Sequence, residues 1–310
     1  MANRVLVTGG AGFIGSALIG HLLERGDEVY VIDDLSFGRR ELVPLPDDRF
    51  FRQDIRDRRS MRGIITQIEP HTVVHLAAVH FIPYCNAHPA LAADINLNGT
   101  IAVLDACVPV GSIEKVFVAS TAAVYPISDQ AMPEHHDVGP LDIYGTTKLA
   151  TERIAGEYHA RTETPVIIGR FFNAFGPNET NAHLIPEIQR QVLSGSRTLM
   201  LGNLDPKRDF IHTDDMARAM LALLDLDMEG CEIFNIGRGI EYSVREIVVA
   251  FERQLGEKLT IEVDPARVRK VERMHLLADV SKLKHLTGWE PRCGIDEGVA
   301  TLLKENVPLV

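Results

Sequence analysis

Thr8-Gly9-Gly10-Ala11-Gly12-Phe13-Ile14-Gly15 is the stretch that decides how this chain is read. It follows the apolar run Val5-Leu6-Val7 and opens a helical pattern from Phe13 to Arg25, so it lies where a strand turns into a helix. Glycine there lets the backbone turn sharply and approach a pyrophosphate closely, while the helix N-terminus offers N–H donors and a favourable dipole. Gly9, Gly12 and Gly15, with Phe13 and Ile14 in the first helical turn, are the expected contacts to that phosphate. The next β-branched run, Val29-Tyr30-Val31-Ile32, ends in Asp33-Asp34-Leu35, at about the twenty-residue distance where an acid accepts hydrogen bonds from an adenosine ribose. Carboxylates at that point repel a 2′-phosphate, so NAD is expected rather than NADP, although Arg39 and Arg40 follow close behind. Asp54-Ile55, after a third strand pattern, would flank the adenine.

Outward from this loop the alternation continues, with Val73-Val74-His75-Leu76 and Val116-Phe117-Val118 separated by helical patterns. Strands apolar on both faces need cover on both sides, which predicts an α/β fold: a Rossmann-type doubly wound parallel sheet. Beyond about Asn173 the rhythm breaks, with Gly176-Pro177, Pro186, Gly195, Gly202 and Pro206. The predicted organisation is an NAD-binding domain over 1–172 and a smaller mixed α/β substrate-binding domain over 173–310, with segments at about 209–238 returning to the first. Val166-Ile167-Ile168 and Ile233-Phe234-Asn235-Ile236 read as further buried strands, and Ser243-Val244-Arg245-Glu246 as a capping box before a helix.

Composition limits the function classes. Hydrophobic residues make up 45% and charged residues 24% of the 310, the profile of an ordinary globular protein. The net charge of −11 repels a polyphosphate backbone, so nucleic acid is not an expected partner. No apolar run reaches the ~20 residues of a membrane span, and Met1-Ala2-Asn3-Arg4 lacks the layout of a signal peptide, so a cytoplasmic location is expected. Cys85, Cys107, Cys231 and Cys293 are too scattered for metal pairs or a disulfide framework, and His135-His136-Asp137 reads as a solvated loop, so no metal is expected.

Tyr144 and Lys148 stand at i and i+4, hence on one helix face. A free phenol titrates near ~10, but a neighbouring ammonium and a cationic nicotinamide both favour the phenolate. Tyr144 is then expected to take a proton from a sugar hydroxyl, with Lys148 holding the ribose and tuning the phenol. Ser120 and Thr121 end an apolar strand, which puts their hydroxyls at the carboxyl edge of the sheet, where such folds bind ligands. Thr121 is expected to donate to the reacting oxygen.

Taken together, these residues resemble the extended short-chain dehydrogenase/reductase family, in its NAD-dependent nucleotide-sugar epimerase/dehydratase branch. The matching segments are Thr8–Gly15, Asp33–Leu35, His75–Ala78, Asn96–Thr100, Ser120–Tyr125, Tyr144–Lys148, Arg170–Asn173, Arg208–His212 and Ala278–Lys282. The resemblance implies that Leu76, Ala77 and Ala78 line the cofactor, that Asn96 supports the catalytic helix, and that Phe171 lies near the nicotinamide. It further implies that Asn173, His183, Leu184, Arg208 and Arg269 contact the nucleotide-diphosphate sugar, the two arginines clamping its diphosphate. It also implies a homodimer built on the helices around 96–106 and 144–160.

Departures from the family pattern narrow the reaction. The branch's 4,6-dehydratases resemble one another in carrying an acid after the strand-end threonine, and its decarboxylases carry a glutamate at the second position; here those positions are Ala122 and Ala123. What remains resembles a 4-epimerase, closest to the UDP-glucose type: transient C4 oxidation by bound NAD, rotation of the keto-sugar, and re-reduction. A 4-reductase or dehydrogenase shares Thr121, Tyr144 and Lys148, and a regulator that only senses NAD would be expected to have lost the Tyr/Lys pair. Phe81-Ile82-Pro83-Tyr84 replaces the small polar residues of the epimerase loop, His183 replaces an asparagine, and Lys270-Val271-Glu272 replaces a Pro-Gly-Asp turn. The resemblance to the UDP-glucose type makes a UDP-sugar the expected ligand, while Gly202-Asn203-Leu204-Asp205, which resembles a segment of GDP-mannose-processing relatives, leaves GDP- or dTDP-sugars open.

Overall fold

The computed structural model describes residues 3–179, 181–268 and 273–304. The β-branched runs form strands β1 (Arg4–Thr8), β2 (Glu28–Asp33), β3 (Phe50–Arg52), β4 (Thr72–His75), β5 (Lys115–Thr121) and β6 (Val166–Phe171). The chain then passes through β7 (Asn173–Phe175), β8 (Thr198–Leu201) and β9 (Lys207–His212) before β10 (Cys231–Ile236); β11 (Glu241–Ser243) and β12 (Thr260–Val263) follow. A seven-stranded sheet has the order β10-β6-β5-β4-β1-β2-β3, and every pair in it is parallel. It is the doubly wound sheet expected from the sequence.

Strand alternation divides its core in two. Val5 and Val7 point into one layer with Leu18, Ile19 and Leu22 of the helix Phe13–Arg25 and Met216, Met220 and Leu223 of the helix Thr213–Asp225. Leu6 points the other way, against Met61 and Ile65 of the helix Arg58–Ile68 and Val103 and Leu104 of the helix Thr100–Cys107. Each such fully buried side chain contributes about 1.5–3 kcal/mol. A separate core, built around Phe175, Ile188, Phe210, Phe251 and Val299, lies beside the small sheets β11-β9-β7 and β12-β8. The helix Val244–Leu255 starts on the capping box read at Ser243 and Glu246.

Winding reverses between β1 and β4, whose carboxyl ends pair Thr8 with His75. A doubly wound sheet opens a crevice at such a point. The four cysteines are free, and among the described residues no helix is long and apolar enough to cross a membrane.

Candidate active site

One cavity of about 1040 Å³ runs from the glycine loop, past the carboxyl ends of β1, β4, β5 and β6, to the small sheets. Of the residues singled out in the sequence, Gly9, Gly12, Phe13, Ile14, Gly15, Asp33, Asp34, Asp54 and Ile55 line its first end. Leu76, Ala77, Ala78, Ser120, Thr121, Tyr144, Lys148 and Phe171 line its middle, and Asn173, His183, Leu184 and Arg208 its far end. Two of them are not in the lining. Leu35, at φ 62, packs against the hydrophobic core, while Asn96 lies fully buried behind the wall. Arg269 lies outside the described residues, as do Lys270, Val271 and Glu272.

At the first end the glycines are required by geometry. Gly9 is left-handed at φ +74, and a Cβ on it would stand 2.7 Å from the Ala77 nitrogen. A Cβ on Gly15 would strike the Gly9 carbonyl oxygen. Gly12 caps the helix Phe13–Arg25 without any side-chain hydrogen bond, so the N–H groups of the first turn face the cavity without a side-chain cap. Asp33 is tied down: Oδ2 accepts from the Ala11 amide at 2.9 Å and Oδ1 from the Leu35 amide at 2.9 Å. Burial raises its carboxyl above the usual range, and those two amides offset part of the rise. Asp34 is exposed and accepts from the amide and hydroxyl of Ser36. Asp54 is gripped by Arg56, which holds its carboxyl below the usual range.

In the middle, Tyr144 and Lys148 share a face of the helix Ile143–Thr162, whose start is fixed by Asp142 Oδ1 accepting from the Gly145 amide at 2.7 Å. From sequence, Lys148 and a cationic nicotinamide are together expected to favour the phenolate. Among the protein's own groups, burial pushes Tyr144 well above its ordinary value and Thr121 opposes it, while Lys148 is itself brought down to about 8 by burial, with Glu152 as counterweight. Both groups sit in the same desolvated wall, which disfavours charge on each. Behind them Ser120 Oγ donates to Glu152 Oε1 at 2.5 Å, and Glu152 in turn receives two hydrogen bonds from Arg170. Asn96 braces the helix from behind: Oδ1 accepts from the Val79 amide at 2.8 Å, and Nδ2 donates to the Val79 carbonyl and to Thr147 Oγ1, both at 3.0 Å.

Sequence reasoning missed several lining residues. His80, Glu179 and Asn181 cluster beside His183, whose ring stacks on His80 at 5.9 Å and meets Phe81 edge-on at 5.4 Å. Arg267 and Arg273 join Arg208 at the far end, and Arg208 Nη1 donates to the Lys207 and Arg273 carbonyls at 2.7 Å each. Glu179 and Asn181 flank His183, and Arg267 and Arg273 flank Arg269, but no motif spacing marks these side chains themselves, and His80 reaches them only through the fold.

The chemistry this arrangement allows is proton exchange with a ligand oxygen at Tyr144 and Thr121, next to a site shaped for a dinucleotide. Ala122 and Ala123 line the same stretch and offer no acid or base.

A family model described as GDP-mannose 4,6 dehydratase matches residues 6–302. The UDP-glucose 4-epimerase of Bacillus subtilis (strain 168) is 31% identical over 320 residues, covering 94% of each chain. Among solved structures, the Thermus thermophilus UDP-glucose 4-epimerase in complex with NAD superposes with a TM-score of 0.87 at 32% identity, covering 97% of both chains. The Thermotoga maritima UDP-glucose 4-epimerase with UDP-glucose does so with a TM-score of 0.89 at 28% identity, again covering 97% of both.

Proposed function

The chain belongs to the extended short-chain dehydrogenase/reductase family, in the branch that holds the GDP-mannose 4,6-dehydratases and UDP-glucose 4-epimerases, and on that premise we propose that it is an NAD-dependent 4-epimerase of nucleotide-diphosphate sugars, UDP-sugars foremost. The observation that carries this reading is that Thr121, Tyr144 and Lys148 line one cavity, with Lys148 a turn away from Tyr144 on the same helix and alanines at the next two positions after Thr121.

The cradle fits NAD. Gly9 and Gly15 leave no room for a Cβ, the first-turn N–H groups of the helix Phe13–Arg25 face a pyrophosphate, and Asp33 and Asp34 lie at the ribose end. NAD, when bound, supplies the hydride acceptor and donor. Tyr144 holds and moves the proton at the sugar O4, Thr121 relays it, and Lys148 binds the nicotinamide ribose and keeps positive charge beside the phenol. Phe171 closes the wall beside the nicotinamide pocket, where it stacks on Phe117 at 6.0 Å. Asn173, His183 and Leu184 contact the nucleotide sugar, and Arg208, with Arg269, neutralises its diphosphate. The cavity of about 1040 Å³ is continuous from the dinucleotide end to the end lined by Asn173, His183 and Arg208, so cofactor and sugar share one enclosure.

Dehydration is disfavoured, since elimination across C5–C6 needs an acid or base where Ala122 and Ala123 stand. The protein also forms a homodimer on this reading, through the helices Thr100–Cys107 and Ile143–Thr162, and light scattering coupled to gel filtration checks that mass. The decisive experiment incubates purified protein with UDP-, GDP- and dTDP-sugars without added NAD and follows C4 by NMR. Inversion at C4 with no net change in nicotinamide absorbance is expected. Stoichiometric consumption of added NAD(H) would assign a reductase or dehydrogenase instead.

A further inference from the structure

Among the described residues one group of three side chains brings metal-ligating atoms together: His80, Glu179 and His183, with one atom of each within 4.8 Å of the other two. From this geometry we infer a binding site for a single divalent transition-metal ion of the zinc class, set in the far wall of the cavity.

Two imidazoles and one carboxylate form a ligand set that zinc takes with an open position left for water or a ligand oxygen. Bonds of about 2.0–2.2 Å need the ligand atoms about 3.3–3.6 Å apart in a tetrahedral arrangement, so the three side chains draw together from their spacing of within 4.8 Å as the ion binds. The rings of His80 and His183 already face one another at 5.9 Å with planes 26° apart, and Phe81 packs edge-on against His183 from outside. Asn181 marks where an electrophile belongs. Its Nδ2 lies 3.2 Å from His80 Nε2 and 3.2 Å from Glu179 Oε1, a positive amide edge held between two acceptors. A divalent cation meets the same two acceptors with far greater charge and adds His183 as a third. All four side chains line the cavity, so an ion there keeps access to solvent and ligand. The site escaped the sequence because His80 follows β4 while Glu179 and His183 follow β7.

The test does not use turnover, so it is separable from the epimerase reading. Full-length protein dialysed against chelator is titrated with Zn²⁺ by calorimetry, and the zinc-loaded wild type is examined by X-ray absorption. One equivalent per chain and a coordination shell containing two imidazoles are expected, with affinity falling about 100-fold or more in His80→Ala and in Glu179→Gln. Retained thermal transition and NAD content identify variants that remain folded. An oxygen-only shell, or zinc affinity unchanged by both substitutions, overturns the site, and the wild-type spectrum decides the matter if the variants do not fold.

Discussion

Arg170 grips Glu152 through two parallel hydrogen bonds, Nε to Oε1 at 2.9 Å and Nη2 to Oε2 at 2.8 Å, and both side chains are almost wholly buried. Such a pair adds little net stability over an apolar substitute, yet removing one partner strands the other charge away from water. Arg170 has further contacts, standing 4.8 Å over the Tyr125 ring and donating to the Glu134 carbonyl. Glu152→Ala is therefore expected to cost about 3–5 kcal/mol of unfolding free energy, read by denaturant titration. Because Glu152 also takes the Ser120 hydroxyl and supports the ammonium of Lys148, the same variant should lose activity under conditions where it remains folded.

Tyr144→Phe removes the oxygen that exchanges the proton and leaves the ring that packs beside Cys85 and Val79. A fall in kcat of at least about 10³-fold is expected, with NAD content unchanged. Thr121→Val keeps the shape of the strand end but deletes the hydrogen bond that opposes the upward shift of the phenol. Its kcat should fall less, and its pH–rate profile should move to higher pH. A Thr121→Val profile that superposes on the wild type would remove Thr121 from the proton path.

Local regularity explains how much of this could be read in advance. The glycine loop, the Asp33-Asp34 strand end and the Tyr144/Lys148 pair are written within single elements, so spacing alone placed them along one cavity. The capping box at Ser243 is likewise a contact between near neighbours. Leu35 stands outside the cavity lining and packs against the core at φ 62, a conformation that its position beside the acids does not reveal. The upward push of burial on Tyr144 was not legible, because charge partners are visible in sequence whereas desolvation depends on everything packed around the pair. His80, Glu179 and Arg273 meet the site only through tertiary folding.

Arg208 is held by the Lys207 and Arg273 carbonyls, so its guanidinium is oriented before any ligand arrives. Charge-assisted hydrogen bonds from such a group contribute about 1.5–3 kcal/mol. Arg208→Ala is expected to raise the KM for the nucleotide sugar about 10- to 100-fold while NAD content stays constant. An unchanged KM would place the diphosphate elsewhere in the cavity.

His75 supplies an acid-sensitive term in stability. It is fully buried between Thr8 Oγ1 at 2.7 Å and Thr100 Oγ1 at 2.9 Å, and burial, assisted by Lys148, brings its pKa down to about 3. The unfolded chain takes up this proton near ~6.5 and the folded chain does not. Its contribution is thus fully present above pH ~6.5 and is lost, at up to about 1.4 kcal/mol per pH unit, as pH falls toward 3. Asp209, raised to about 6 by burial, works in the opposite sense between the unfolded carboxylate range and pH 6. Comparing wild type with His75→Gln isolates the histidine: the variant should be less stable at pH 7.5 but lose less between pH 6.5 and 4.5. Parallel curves would mean that the ring is not kept neutral by the fold.

Gly15 and Gly20 lie on the same helix and should respond to alanine with opposite signs. Alanine is the better helix former, and at Gly20 nothing lies within 4 Å of the added methyl, so Gly20→Ala should stabilise the fold by about 0.5–1 kcal/mol. At Gly15 the methyl runs into the Gly9 carbonyl oxygen and stands 2.7 Å from the Gly10 Cα, both backbone atoms of the phosphate loop. The loop must move, and Gly9 cannot yield easily because it already lies against Leu76 and Ala77 at φ +74. Gly15→Ala should consequently purify with little NAD, and its affinity for added NAD should fall about tenfold or more, while UDP binding at the far end persists. Calorimetric titration with each ligand separates the two ends, and full NAD content in Gly15→Ala would show that the cofactor does not depend on the closeness of that loop.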